Sequence, residues 1–127
     1  MYQVIGAAIE VHKELGPGLL ESVYHRCMKH ELSIRNISFV SEVLVQTDYK
    51  GIDLQVDLGC DFLVENELVV ELKSVEGILA VHDAQVLSYM KLLKKPKGVL
   101  INFNCDNVFK SGQKTYVNNL YRILPDK

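Results

Sequence analysis

Asp61, Glu71 and Lys73 are charged residues at the ends of apolar runs, where an ordinary buried strand would carry none. From Asp61 to Lys73 the chain reads as two short strands, Phe62-Leu-Val64 and Leu68-Val-Val70, joined by the polar turn Glu65-Asn-Glu67. Side chains alternate along a strand, so Glu71 and Lys73 share one side and Leu72 takes the other. If residues 65 to 67 form the turn, Val64 faces Leu68 and Asp61 faces Glu71. Two carboxylates and an ammonium then converge at the end of an apolar hairpin. Paired carboxylates cost energy unless a cation joins them, so the pattern suits a divalent metal site with a lysine beside it. Acids at strand ends are also commonly solvated, and D-x9-E-x-K is short enough to arise by chance.

The elements around the hairpin must decide between these readings. At 127 residues the chain is expected to form one domain, residues 1–127, with a substantial core. Hydrophobic residues at 48% and charged residues at 24% are ordinary for a soluble protein, and no window reaches the ~18 apolar residues of a membrane helix. The start, Met-Tyr-Gln-Val-Ile-Gly, lacks a signal-peptide pattern. Cys27, Cys60 and Cys105 form no CxxC pair, which points to core packing in a reducing, cytoplasmic setting. A net charge of -2 excludes a general polyanion-binding surface, so phosphate contact must be local or carried by metal ions.

Apolar spacing predicts a helix over residues 1–15, stopped by Gly16-Pro17-Gly18, and a second over 19–35, ended at Asn36. Strands are expected over 39–49 and 52–58 around the turn Lys50-Gly51. After the hairpin come a helix from about His82 to Leu93, a buried strand over 98–103, a polar loop over 104–113, and a strand or short helix over 114–124 that includes Tyr116, Tyr121, Ile123 and Leu124. The helix between the hairpin and the strand at 98 can serve as a crossover. The expected class is α/β (mixed α+β), with a mixed sheet of about four to five strands flanked by helices.

Gly18-Leu-Leu-Glu21-Ser-Val-Tyr24 fits the signature of the GxxExxY proteins, and its surroundings resemble theirs: Ile9 to Gly18, Tyr49-Lys-Gly51, and Gly98-Val-Leu-Ile-Asn-Phe103. The resemblance covers nearly the whole chain. That family is placed in the PD-(D/E)xK nuclease-like superfamily, which implies a restriction-endonuclease-like core. Carried over, Asp61 is the acid of the first core strand, Glu71 and Lys73 are the E-x-K, and Glu21 is an additional acid from the preceding helix. Gln85-Val-Leu-Ser-Tyr89 resembles the Q-x-x-x-Y motif of exonuclease-like members and would orient substrate. Cys60 stands where the strict motif has proline.

The resemblance implies a metal-dependent nuclease acting on nucleic acid, DNA ahead of RNA. Glu21, Asp61, Glu71 and the Leu72 carbonyl suit Mg2+ or Mn2+. Lys73 would hold the attacking water or neutralise developing charge. His82 is a capping or substrate-side candidate. Lys91, Lys94, Lys95 and Lys97 form a cluster with no acid within it, either a solvated face or a phosphate contact. Asp57, four residues and about 13 Å before Asp61 along a strand, is too far to share an ion. His25 and His30 are expected in packing or surface roles. Tyr24 is expected in the core, with its hydroxyl able to brace Glu21. The alternative is a catalytically silent nucleic-acid-binding or protein-interaction module on the same fold, and either leaves room for a homo-oligomer or protein partner.

Overall fold

In a computed structural model, which describes residues 1–120, helices α1 (Tyr2–Leu15) and α2 (Glu21–Ile34) precede strands β1 (Phe39–Val40), β2 (Leu44–Tyr49), β3 (Ile52–Asp57), β4 (Phe62–Val64) and β5 (Leu68–Lys73). Helix α3 (Ala80–Leu93), strand β6 (Lys97–Asn102), a π-helical turn at Val108–Gly112 and strand β7 (Gln113–Val117) follow. Five strands form one mixed sheet in the order β1-β4-β5-β6-β7. Only β5 and β6 run parallel, with α3 as their crossover. The expected sheet and crossover are therefore present. Tyr121, Ile123 and Leu124 lie outside the described residues.

The central strands are buried on both faces, so they read as continuous apolar runs rather than alternating ones. On one face Phe62, Val64, Val70, Leu72 and Ile101 pack with Val4, Ala8 and Val11 of α1 and Tyr24, Met28 and Leu32 of α2. On the other, Leu63, Val69 and Leu100 pack with Val86, Tyr89 and Met90 of α3. The approach of α3 to β6 requires glycine at position 98. A Cβ there would lie 2.7 Å from Met90 Sδ and 2.9 Å from Val86 Cγ1.

Three expectations needed correction. The strand expected over 39–49 is broken at Ser41-Glu42. Phe39 packs edge-on against Phe62 at 5.5 Å, while Val43 is buried in the α3-side cluster, so the chain must change faces between them. Beyond the break, β2 and β3 pair only with each other, around a Lys50-Gly51 turn with φ of 49° and 88° that suits a tight hairpin. Second, α3 begins at Ala80 rather than near His82. Third, the polar segment 104–113 contains the π-helical turn, because Asn107 Oδ1 accepts from the Lys110 N–H at 2.9 Å and Val108 is buried against the α1 side.

Candidate active site

The hairpin register is the expected one: Val64 pairs with Leu68, Leu63 with Val69 and Phe62 with Val70. It brings Asp61 against Glu71. Asp61 Oδ2 accepts from the Leu72 N–H at 2.8 Å, and Glu71 Oε1 accepts from the Asp61 N–H at 3.3 Å. Each acid is thus aimed by the backbone of the other's strand. Leu72 is fully buried in the opposite cluster, which pins the alternation that turns Glu71 and Lys73 the same way. Lys73 Nζ stands 3.5 Å from Glu71 Oε2.

Glu71 is only 2% exposed. Loss of water, then the hydrogen bond to Asp61 and its charge, push Glu71 up to about 8; Lys73 opposes this without overcoming it. Near neutral pH Glu71 therefore favours its uncharged, protonated form. Buried carboxyl oxygens are hard donors of the kind a divalent cation takes, and such an ion would displace the Glu71 proton.

Glu21 opens α2 and is exposed, yet partial desolvation raises its carboxyl; the charges of Lys73, Asp61, His82 and His25 also reach it. The expected trio of Glu21, Asp61 and Glu71 is not closed. Among the described residues no three of His, Cys, Asp and Glu form a group that could hold a metal ion. The physical reason lies at Asp61, whose Oδ1 faces His25 instead: His25 Nδ1 is 2.6 Å away, and the imidazole stacks on Phe62 at 4.7 Å and 13°. The expectation that His25 has only a surface or packing role is corrected here. The signal was present, since His25 follows Glu21 by four residues and so shares its helix face. His30 does not join the site.

On α3, Gln85 and Tyr89 share one helix face, as their spacing predicts, and the Gln85 side chain is close enough to act on the Tyr89 phenol. Burial, followed by the nearby charge of Glu71, pushes Tyr89 up to about 12, so it stays a neutral phenol beside the carboxyls. His82 uses Nδ1 to accept from the Leu79 N–H at 2.9 Å and caps the helix. Cys60 donates to the carbonyls of Phe62 and Val70, at 3.4 and 3.7 Å, and burial pushes its thiol up to about 12; it serves the hairpin as a packed, inert group. Asp57 accepts from the Gly59 N–H in the approach to β4.

The lysine cluster lies elsewhere. Lys97 pairs with Leu68, at the turn end of the hairpin, whereas Glu71 pairs with Leu100. Lys95 Nζ donates to Asn66 at 3.1 Å and Lys97 Nζ is 3.7 Å from Glu67, so the turn supplies a polar partner and an acid that the local sequence did not show. Lys91 and Lys94 are exposed. Lys94, just past the end of α3, is twelve residue steps from His82, about 18 Å at 1.5 Å per residue.

Tyr24 is fully buried and stacks on Phe103 at 4.3 Å. Its hydroxyl donates to the Gly16 carbonyl at 2.6 Å and accepts from the Leu19 N–H at 3.2 Å, bracing the loop before Glu21 rather than Glu21 itself. Ser74 Oγ ties the same loop to the end of β5 through the Leu19 carbonyl, at 2.7 Å.

A mixed sheet flanked by helices, with an acid pair and a lysine at the end of its central hairpin, defines a nuclease-like class. A sequence model described as the PD-(D/E)XK nuclease superfamily matches residues 1–115. The chain belongs to that superfamily, and its fold is the restriction-endonuclease-like one. No curated protein and no solved structure matches it. No helix among the described residues is long and apolar enough to cross a membrane.

Proposed function

We propose that the protein is a Mg2+- or Mn2+-dependent nuclease of the GxxExxY type that hydrolyses phosphodiester bonds, with DNA favoured over RNA. The observation that carries this reading is the buried Asp61–Glu71 pair, with Lys73 3.5 Å from Glu71, at the end of β5. Asp61, Glu71 and the Leu72 backbone carbonyl would hold the ion, and Glu21 would reach in from α2. When bound, the ion supplies Lewis acidity toward a phosphate oxygen and lowers the pKa of a water. Lys73 donates hydrogen bonds to the attacking water or to oxygens that gain charge. Gln85 and Tyr89 present an amide and a phenol on one helix face that would orient the substrate. The test is incubation of the protein and of Glu71→Ala with linear, circular, single- and double-stranded substrates plus Mg2+ or Mn2+. Cleavage by the parent alone supports the reading.

One observation favours the catalytically silent binding module: both Asp61 oxygens and Glu71 Oε1 already have protein partners. Binding of nucleic acid without cleavage of any of these substrates by the parent would establish that alternative.

Substitution of Gln85 by Leu or Tyr89 by Phe is expected to lower turnover or weaken substrate binding while Mn2+ affinity stays within about threefold of the parent. Calorimetry with Mn2+, beside single-turnover cleavage, checks this; equal loss of both would make the pair part of the ion site.

At about 14 and 18 Å from His82, Lys91 and Lys94 would meet phosphates roughly four to five base pairs along a duplex. Changing both to Gln should reduce the slope of log affinity against log salt by up to about two contacts. An unchanged slope in binding titrations would return them to a solvated face.

A further inference from the structure

We propose that His25 is the positioning residue for Asp61, holding its carboxylate in the orientation that receives the ion; this rests on the metal-dependent reading above. Asp61 is held by a donor at each end of its carboxylate. Leu72 donates a backbone N–H to Oδ2 at 2.8 Å, and His25 Nδ1 faces Oδ1 at 2.6 Å. An ionised carboxylate can only accept, so the proton of this contact sits on Nδ1. The backbone donor alone leaves the carboxylate free to rotate about its Cβ–Cγ bond, and the second donor fixes the plane.

The imidazole is itself fixed. It stacks on Phe62, whose side chain is fully buried in the first position of β4, directly after Asp61. The ring's support and the carboxylate it grips are therefore consecutive residues of one strand, and a shift of α2 cannot separate them without breaking the stack. Among the described residues the other ring nitrogen makes no hydrogen bond, and the side chain is 27% exposed, so His25 stands at the mouth of the site rather than in the core. Donors that orient a ligating carboxylate from outside the ligand set commonly govern metal affinity by 10- to 100-fold.

Two substitutions separate the donor from the ring. His25→Asn places an amide N–H where Nδ1 stood, whereas His25→Phe keeps the stack on Phe62 and removes the donor. By calorimetry with Mn2+ alone, His25→Phe is expected to lose about 10- to 100-fold in affinity, with His25→Asn within about threefold of the parent. Long-range 1H–15N NMR of the metal-free protein should find the neutral His25 ring protonated on Nδ1, and on Nε2 after Asp61→Ala. Parent-like Mn2+ affinity in His25→Phe, an equal loss in both variants, or an Nε2-protonated ring in the parent would each overturn the proposal. If the parent itself binds no Mn2+, the metal reading fails with it; a loss confined to the His25 comparison leaves that reading standing.

Discussion

Glu71→Ala should lose Mn2+ binding and cleavage together, whereas Lys73→Ala should keep the metal and lose at least about 100-fold in turnover. The two residues share a strand face but differ in what they can offer: Glu71 would bring oxygens to an ion, and Lys73 would bring donors to whatever that ion activates. Lys73 also lowers the carboxyl of Glu71, so its removal raises that group further. The pH at which Lys73→Ala takes up Mn2+ should consequently move upward, and affinity near that of the parent should return in alkaline buffer. Single-turnover cleavage and calorimetry across pH distinguish the roles. Cleavage that survives both substitutions removes the proposed centre.

In chelator, the melting temperature should fall as pH rises from the ordinary carboxyl value of 4.5 to about 8. Glu71 is raised in the folded state, so folding favours its protonated form. That contribution is complete below the unfolded value and is lost as pH climbs through the folded one. Desolvated Glu21 is shifted in the same direction. The expected loss is on the order of a few kcal/mol, a shift of very roughly 5–15 °C for a chain of this size. Millimolar Mn2+ should reverse the slope at its upper end, because an ion that binds only the folded state adds stability as RT ln(1 + [L]/Kd). Glu71→Gln should flatten the chelator curve and remove most of the Mn2+ response. Thermal melts of both proteins from pH 5 to 9 measure this, and identical metal responses would show that Glu71 is not a ligand.

Much of this centre could be read locally. Strand alternation and turn length place Asp61 against Glu71 before any tertiary contact is known, and the i, i+4 rule joins Gln85 to Tyr89. What could not be read depends on packing between distant segments. The break at Ser41-Glu42 arises because Phe39 and Val43 belong to clusters on opposite faces of the sheet. His25 acquires its role from a carboxylate 36 positions away. Lys95 and Lys97 acquire partners from a turn about thirty residues earlier. The raised carboxyl of Glu71 has the same origin, since it depends on how completely the surrounding fold removes water.

The Tyr24 hydroxyl closes the loop from Gly16 to Leu19, and Gly18 within it has a φ of 92°, which side-chain-bearing residues rarely adopt. Two of the three residues Gly18, Glu21 and Tyr24 are therefore a joint, and only Glu21 carries charge. The joint and the acid answer to different selective pressures. A chain with no use for the Glu21 carboxylate would still need Gly18 and Tyr24 to seat α2 over the sheet, and would be free to drift at position 21. Across relatives, the glycine and tyrosine would then trace inheritance of the architecture, while the residue at position 21 would be the better guide to which lineages keep an acid at the site.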